Sequence, residues 1–281
     1  MSKGDTKMLI ATHDGQFHAD DVVAVALVRL FAHPSANVVR TRNPAVIASA
    51  DMVVDVGGVF DPSSKKFDHH QADYHGERSS AGMILDWLGD KGSISGRLFR
   101  HLHDNLIHQV DQVDIGKAEI RPGEMTFSDT IGHFNPASKD PAVQLEAFEA
   151  AVKVATTVIQ SLTDKLQSIL DDEDTVLDAM ELAERNGDKT MWFPGELVWK
   201  ETYFENGGST HHTRYIASPV NGQWRLLAIP PRMNTFDMKS PLPHRWHTHT
   251  KEIPGLVFCH KTGFLAVFNT EKDLRAALAT L

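Results

Sequence analysis

Short apolar runs, two of which end near a histidine or an aspartate, organise the first part of the chain. Three of them have the length of a buried strand, at residues 8–12, 38–41 and 52–56. Asp20 and Asp21 open an apolar stretch that continues to Phe31. Acids in a first turn, followed by that much apolar sequence, predict a mostly buried helix. This order of elements predicts an α/β fold with a largely parallel sheet.

Helical and β-like patterns alternate in the remaining chain. One helix is predicted to end near Leu88 and another to cover 97–113, where apolar residues recur every four positions. Residues 144–185 are interpreted as two helices that meet at the acidic run 171–174. Six β-like segments and a C-terminal helix follow, at 191–193, 197–199, 214–218, 224–229, 256–259, 265–268 and 271–281. Loop-like sequence between Asp129 and Asp140 predicts a catalytic domain over 1–137 and a smaller α+β domain over 138–281.

Composition restricts the class of protein. The hydrophobic fraction of 41% and charged fraction of 23% are typical of soluble globular proteins. We find no apolar run of membrane-spanning length, no signal-peptide core and a single cysteine, Cys259, so a cytoplasmic location without a membrane partner is expected. The net charge of −9 argues against a broad nucleic-acid surface, although it leaves a narrow site possible.

Three His- and Asp-rich clusters predict a metal site. They lie at 13–21, 55–58 and 67–71; each of the first two follows a short apolar run, and the third is interpreted as a turn. Functional crevices of open α/β sheets lie at the carboxyl ends of the strands, so these clusters are expected to meet. Mixed imidazole and carboxylate ligands suit Mn²⁺, Fe²⁺, Co²⁺ or Zn²⁺. Two such ions about 3.5–4 Å apart can clamp the attacking and leaving oxygens of a phosphoryl displacement.

Six residues supply the ligands that such a centre needs: His13, His18, Asp20, Asp55, His69 and Asp111. Asp55 is the expected bridging carboxylate, and Asp114, three residues after Asp111, is an equal alternative for the last position. Asp68 is expected to accept the second N–H of His69. His70 would face the substrate, where it stabilises phosphoryl charge or protonates the leaving oxygen. The expected nucleophile is a hydroxide activated by the two metals.

Several motifs resemble those of the melanocyte-proliferating-gene (Myg) exonuclease family, a branch of the DHH phosphoesterases. The matching segments are Thr12-His13-Asp14-Gly15-Gln16-Phe17-His18-Ala19-Asp20-Asp21, Arg40-Thr41-Arg42-Asn43-Pro44, Val54-Asp55-Val56-Gly57-Gly58, Phe67-Asp68-His69-His70-Gln71 and Ser79-Ser80-Ala81-Gly82. The resemblance implies a DHH-type domain that holds two divalent metals, Mn²⁺ by preference with Mg²⁺, Co²⁺ or Zn²⁺ as alternatives, and a smaller substrate-gripping domain. It assigns the same six ligands, places a catalytic histidine at His70 and implies a 3′→5′ exoribonuclease.

The C-terminal half departs from the family pattern. Similar proteins carry Gly-Gly-His after a Gly-Phe pair, whereas Leu265-Ala266-Val267 follows Gly263-Phe264 here. Candidate substrate contacts are Asp114, Arg214, Lys239, Arg245 and His260. We therefore expect a metal-dependent phosphodiesterase on RNA or short oligonucleotides. The alternatives are a hydrolase of a small phosphorylated molecule (pyrophosphate, a cyclic nucleotide or a dinucleotide) and an inactive metal-binding regulatory protein.

Overall fold

The chain folds into two compact units, each built on one five-stranded sheet. The computed structural model describes residues 7–281. Unit 1 ends at Leu166, and unit 2 runs from Gln167 to Leu281. The predicted class, a largely parallel α/β sheet followed by a smaller α+β unit, is confirmed. Within residues 7–281, every helix is too short or too polar to span a lipid bilayer.

The sheet of unit 1 is parallel except at one edge. Its strands are β1 (Leu9–Thr12), β2 (Asn37–Arg40), β3 (Met52–Val54), β4 (Phe60–Asp61) and β5 (Lys66–Phe67). They are arranged in the order β2-β1-β3-β5-β4, and β4 is antiparallel to β5. The first three strands lie where the apolar runs predict them. The sequence pattern missed β4 and β5 because two residues are too few to show a period.

Seven α-helices begin in the described part of unit 1. They are α1 (Ala19–Phe31), α2 (Pro44–Ser49), α3 (Ser80–Asp90), α4 (Gly96–Leu102), α5 (His108–Asp114), α6 (Phe127–Gly132) and α7 (Pro141–Asn186). A π-helical segment, His103–Ile107, joins α4 to α5, so the helix predicted over 97–113 is confirmed with a change in its hydrogen-bond pattern. Every residue of α1 from Ala19 to Val28 is buried, as its continuous apolar sequence predicts.

Helix α7 is continuous, and the prediction of two helices over 144–185 is wrong. The acidic run 171–174 lies within it on partly or fully exposed positions. Solvated acids do not end a helix, and the apolar positions Ile169, Val176 and Met180 continue on the buried face across the run. Phe148 and Val152 of α7 belong to the core of unit 1. The compact units therefore divide inside α7, rather than in the loop that precedes residue 138.

Unit 2 has a mostly antiparallel sheet. Its strands are β6 (Thr190–Trp192), β7 (Tyr215–Val220), β8 (Gln223–Ala228), β9 (Leu256–Cys259) and β10 (Leu265–Phe268), in the order β6-β7-β8-β10-β9. Its further helices are α8 (Lys200–Glu205), α9 (His244–Thr248) and α10 (Glu271–Leu278). The strand predicted at 197–199 is wrong. This segment is irregular, and Val198 N–H donates to Asp172 Oδ2 at 2.7 Å instead of to a strand.

Candidate metal centre

Three strand ends bring the candidate ligands to one edge of the unit 1 sheet. His13 follows β1, Asp55 follows β3, and Asp68-His69-His70 follows β5. Asp55 has a φ of 55°, and its N–H donates to Phe67 O at 2.9 Å. A non-glycine residue in this left-handed region is uncommon and is often found at functional sites. The turn therefore places the Asp55 carboxylate among the histidines that follow the neighbouring strands.

His13 presents its Nε2 atom to two buried carboxylates. Its Nδ1 lies 3.0 Å from Asp14 O, an acceptor, which assigns the ring proton to Nδ1 in the neutral imidazole. Its Nε2 lies 3.3 Å from Asp21 Oδ2 and 3.3 Å from Asp55 Oδ2. The lone pair of Nε2 therefore points towards acceptors rather than donors. That arrangement is favourable when a cation lies between them.

His69 is held by Asp114, and this changes the predicted role of Asp68. His69 Nε2 lies 2.9 Å from Asp114 Oδ2, and its Nδ1 faces Asp55 Oδ1 at 3.6 Å and Asp20 Oδ2 at 4.0 Å. The carboxylate that orients the His69 ring is thus Asp114. The prediction that Asp68 orients His69 is wrong, because both oxygens of Asp68 have other partners.

Asp68 orients His70 instead. Asp68 Oδ1 lies 2.9 Å from His70 Nδ1 and accepts the His70 backbone N–H at 3.1 Å, while Oδ2 accepts from Gly58 N–H at 2.5 Å. His70 Nδ1 is also 3.3 Å from Asp55 Oδ1. The His70 side chain is 60% exposed, in contrast to 9% for His69. The two adjacent histidines therefore differ as predicted, with one enclosed in the cluster and one open to solvent.

Three overlapping groups of side chains have donor atoms within 4.8 Å of one another. The groups are Asp55, Asp68, His69 and His70; His13, His18 and Asp55; and His18, Asp20 and Asp114. His18 Nδ1 lies 3.7 Å from Asp114 Oδ1. Asp55 and His18 are each shared by two groups. Five of the six predicted ligands are thus brought together, and Asp114 rather than Asp111 lies beside them.

Asp111 lies on α5, and its carboxylate contacts the start of α3 instead of the cluster. Its Oδ1 accepts from Ser79 N–H at 3.0 Å, Ser79 Oγ–H at 2.7 Å and Gly82 N–H at 3.1 Å. Its Oδ2 lies 3.4 Å from Arg78 Nη1. Both oxygens are therefore occupied by protein donors, so the structure does not bring Asp111 to the metal cluster.

Several buried atoms of the cluster have no hydrogen-bond partner. They are Asp20 Oδ1, Asp55 Oδ2 and His69 Nδ1. Burial of an unpaired carboxylate oxygen is costly, and native proteins normally pair or ligate such groups. Divalent cations would satisfy all three atoms, and mixed nitrogen and oxygen donors are ligands that such ions accept. The residues present therefore fit a metal centre.

Burial, and then the charges of neighbouring groups, shift the pKa values of the cluster. Burial, followed by the charge of Asp55, raises the pKa of Asp20 well above its usual value. Burial raises the pKa of Asp21 to about 7. Burial would also raise the pKa of Asp55, but the neighbouring imidazoles of His13 and His70 hold that pKa below the usual range. Hydrogen bonds with Asp55 and then Asp68, against the opposing effect of burial, raise the pKa of His70 to about 9.

Asp21 is a cluster residue that the sequence did not single out for a site. It is fully buried in the first turn of α1, and its Oδ1 accepts the His18 N–H at 3.1 Å. Its Oδ2 lies 3.4 Å from Thr12 Oγ1 and 3.3 Å from His13 Nε2. Asp21 thereby connects the start of α1 with the end of β1. In the sequence, the only indication of a role for Asp21 was its position beside Asp20, and two adjacent acids usually indicate the start of a helix.

A cleft of about 320 Å³ opens onto the cluster. It is lined by His13, His18, Arg42, Asp55, Val56, Gly57, Gly58, Asp68 and His70. Gly57 and Gly58 have φ values of 94° and 65°, and a Cβ atom at Gly58 would meet no atom within 4 Å. A ligand can therefore approach the backbone closely there. Arg42 is the second residue near the cluster that the sequence did not assign to the site.

Lys239 and Arg214, predicted as substrate contacts, are engaged within unit 2. Lys239 Nζ donates to Tyr203 Oη at 2.8 Å, to Gly208 O at 2.5 Å and to His211 O at 2.7 Å. These bonds use all three of its protons, so the structure leaves none directed at a substrate. Burial lowers its pKa to about 8. Arg214 Nη1 lies within 3.4 Å of His211 O and Thr213 O.

Arg245 and His260 differ in their surroundings. Arg245 is exposed, and its Nη2 lies 3.4 Å from Thr280 Oγ1. His260 lines a separate cavity of about 580 Å³ in unit 2, together with the aromatic residues Trp199, Phe236 and Phe264. Thr262 N–H donates to His260 Nδ1 at 3.2 Å, so the ring proton belongs on Nε2.

Comparisons with known proteins identify one family over almost the whole chain. The family model MYG1_exonuc, described as "Uncharacterised protein family (UPF0160)", matches residues 9–280. The MYG1 protein of Chlamydia trachomatis is 35% identical over 278 residues, which cover 96% of this chain and 94% of the relative. The MYG1 exonuclease of Homo sapiens is 32% identical over 322 aligned residues, with coverage of 97% and 85%.

Among solved structures, the chain is similar at 14% identity to RecJ from Thermus thermophilus in complex with Mn²⁺. That match has a TM-score of 0.27 and covers 97% of this chain and 51% of RecJ. An exonuclease RecJ bound to manganese gives 13% identity, a TM-score of 0.29 and coverage of 97% and 89%. The family match and the two sequence relatives extend over both units. This chain therefore belongs to the MYG1 exonuclease family.

Proposed function

We propose that this chain is a metal-dependent phosphodiesterase that acts as a 3′→5′ exonuclease on RNA or short oligonucleotides. One observation carries the proposal. His13, Asp55 and His69 follow three parallel strands and converge, while buried atoms of Asp20, Asp55 and His69 lack a hydrogen-bond partner. The relatives named MYG1 exonuclease support the nuclease class. The 3′→5′ direction and the preference for RNA come from the family resemblance of the motifs.

We assign the metal ligands to six residues: His13, His18, Asp20, Asp55, His69 and Asp114. Asp55 belongs to two of the donor groups, which supports its place between two ions, with Mn²⁺ as the preferred metal. Bound divalent ions would supply an activated water nucleophile and charge neutralisation at the phosphate. Asp114 also fixes the His69 ring through Nε2, so its loss would affect two positions of the centre.

His70 is the general acid of the proposal. Its exposed ring lines the cleft, and Asp68 holds its Nδ1 at 2.9 Å. That bond leaves Nε2–H directed away from Asp68 and available to a substrate. Protonated His70 would therefore donate to the leaving oxygen or to a phosphoryl oxygen. Asp68 acts through His70 and is a positioning residue.

The cavity around His260 supports a substrate contact in unit 2. Three aromatic side chains beside an imidazole suit a nucleobase, because every base presents a π-face. Of the predicted contacts in this half, His260 is the one that we keep as a proposal. Arg214 and Arg245 remain predictions.

Hydrolysis of a small phosphorylated molecule is the second candidate. Two observations favour it: the net charge of −9 and a cleft of about 320 Å³, which is small enough for a single phosphorylated group. A long oligonucleotide would gain little from the acidic surface outside the cleft. The pattern of products from RNA distinguishes this candidate from an exonuclease.

The test is a Mn²⁺ reaction with a short RNA labelled at its 5′ end, run with the wild type, Asp55→Asn and Asp90→Asn. Asp90 is an exposed acid at the end of α3 and is the matched control. A ladder shortened from the 3′ end is expected for the wild type and Asp90→Asn. Asp55→Asn should be inactive while its thermal unfolding stays cooperative. Full activity of Asp55→Asn would refute the mechanism, and metal binding without products would favour small phosphate esters or a non-catalytic role.

A further inference from the structure

Arg42 is a cationic side chain at the cleft that the proposed mechanism does not use. It lies between β2 and α2 and lines the cleft beside His13, Asp55 and His70. Its side chain is 65% exposed. Arginine remains protonated at any relevant pH, so it brings a permanent positive charge to this cleft.

The backbone around Arg42 is fixed on both sides. Thr41 N–H donates to Thr12 O at 2.7 Å, which continues the pairing of β2 with β1. Asn43 N–H donates to Thr41 Oγ1 at 3.0 Å, and Asn43 Oδ1 accepts from Ala45 N–H at 2.9 Å at the start of α2. The backbone that carries the Arg42 side chain is therefore already fixed, which lowers the entropy lost when the side chain binds a ligand.

The donors of Arg42 are incompletely used. Its Nε lies 3.1 Å from Asp14 Oδ1, a carboxylate that is itself 58% exposed. Its Nη2 lies 3.4 Å from His13 Nδ1, but that nitrogen already faces the acceptor Asp14 O at 3.0 Å. A protonated Nδ1 cannot accept from Arg42. Within residues 7–281, Nη1 has no hydrogen-bond acceptor, so the terminal edge of the guanidinium is free for a ligand.

An ion pair between two exposed side chains contributes little to stability, because water screens both charges. The contact with Asp14 is therefore a weak reason to have an arginine at this position. An oxyanion in the cleft would be a stronger partner, since the planar fork of arginine matches two oxygens of a phosphate.

We propose that Arg42 binds the non-reacting oxygens of the phosphate group held at the metal centre, and that Asp14 occupies Arg42 when no substrate is bound. The inference rests on the proposed phosphodiesterase function and adds a substrate-binding residue to it. Arg42 would exchange the exposed Asp14 carboxylate for the phosphate. His70 and Arg42 would then be the two cationic side chains that contact the same phosphate from the lining of the cleft.

The test measures binding of adenosine 5′-monophosphate to the Mn²⁺-loaded full chain by calorimetry, with no turnover required. Arg42→Ala should weaken binding by about 10- to 100-fold, the usual range for a hydrogen bond to a charged group. Arg42→Lys keeps the charge without the fork and should fall between Arg42→Ala and wild type. Asp14→Asn should bind as tightly as the wild type or more tightly, because it releases Arg42.

Asp14→Asn separates this role from that of a loop tether. Both Asp14→Asn and Arg42→Ala break the same ion pair, so a tether predicts equal loss of binding in the two variants. Mn²⁺ affinity should be unchanged or slightly higher in Arg42→Ala, because a nearby cation has been removed. Equal loss in the two variants, weakened Mn²⁺ affinity in Arg42→Ala, or no monophosphate binding by the wild type would each overturn the inference.

The outcome is separable from that of the exonuclease proposal. Arg42-dependent binding of the monophosphate by a wild type that leaves RNA intact would reject the exonuclease and keep the inference. Metal-dependent RNA cleavage, with the same monophosphate affinity in wild type and Arg42→Ala, would keep the exonuclease proposal and reject the inference about Arg42.

Discussion

Asp111 and Asp114 are one turn apart on α5 and have different partners. Asp114 contacts His69 and His18, whose rings lie in the metal cluster. Asp111 is fully buried and accepts donors from Ser79, Gly82 and Arg78 at the start of α3. At the scale of single residues, Asp114 thus contacts the candidate metal centre, whereas Asp111 stabilises the packing of α5 against α3.

Substitution of each acid by alanine should separate these roles. Asp114→Ala is expected to weaken Mn²⁺ affinity by about 10- to 100-fold or more, since it removes a ligand and the partner of His69, with little loss of stability. Asp111→Ala should lower the free energy of unfolding by about 1–3 kcal/mol, because it leaves buried N–H groups unpaired, with Mn²⁺ affinity changed little. Calorimetric metal titration and denaturant unfolding measure the two effects. The opposite pattern would return Asp111 to the metal centre.

Asp68 should control the protonation of His70. It is one of the groups that raise the pKa of His70 to about 9. In Asp68→Asn the charged acceptor is lost, so His70 should release its proton at a lower pH. The decline of kcat/KM on the alkaline side should therefore begin at lower pH than in the wild type. A control is Asp61→Asn, which alters an acid outside the cleft. Identical alkaline limbs in all three proteins would exclude His70 as the acid.

At the scale of elements, the contact between α5 and the start of α3 requires a glycine at position 82. A Cβ atom at Gly82 would lie 2.3 Å from Asp111 Oδ2 and 2.6 Å from Oδ1. Glycine therefore allows the carboxylate of α5 to reach the N–H groups of α3 directly. By contrast, a Cβ atom at Gly132, the last residue of α6, would meet no atom within 4 Å.

Gly82→Ala should destabilise the protein, because the methyl group must displace the buried Asp111 carboxylate from its donors. We expect a loss of about 1–3 kcal/mol in the free energy of unfolding, measured by chemical denaturation. Gly132→Ala is the matched control, and it should be neutral or stabilising by up to about 1 kcal/mol through helix propensity. Equal effects of the two substitutions would show that the contact between α3 and α5 does not contribute measurably to the free energy of unfolding.

At the scale of the whole molecule, charge limits the mode of substrate binding. The chain has 28 basic and 37 acidic residues, so it lacks the excess of Lys and Arg with which proteins follow a phosphate backbone. The candidate metal centre and Arg42 lie at one small cleft of unit 1. Recognition should therefore be confined to a terminal phosphate and its nearest neighbours.

This confinement predicts a weak dependence on salt and on substrate length. The logarithm of kcat/KM for oligonucleotides should fall with the logarithm of salt concentration with a slope no steeper than about −2, as expected for two or three phosphate contacts. It should also stop rising beyond a length of a few nucleotides. A slope of about −5, or a steady gain with length, would reveal an extended binding surface and contradict the prediction.

Local sequence predicted the elements that carry a clear period. The apolar runs of β1 and β3, the all-round apolar pattern of α1 and the four-residue spacing of α4 and α5 each indicate one structure. The pattern was less informative for α7, since an acidic run on an exposed face resembles a helix end. It did not show β4 or β5, whose two residues pair only because β3 lies beside them.

The sequence by itself predicted the α/β class and most of the residues that converge at the candidate metal centre, because strand ends and their polar clusters are local features of the chain. Tertiary structure decided which carboxylate contacts which histidine. Asp114 and not Asp111 reaches the cluster, Asp68 holds His70 and not His69, and Lys239 is enclosed by carbonyl groups. These outcomes depend on the rotation of α5 and on the turns after β3 and β5. Contacts between distant segments set such geometry, and spacing along one chain does not contain it.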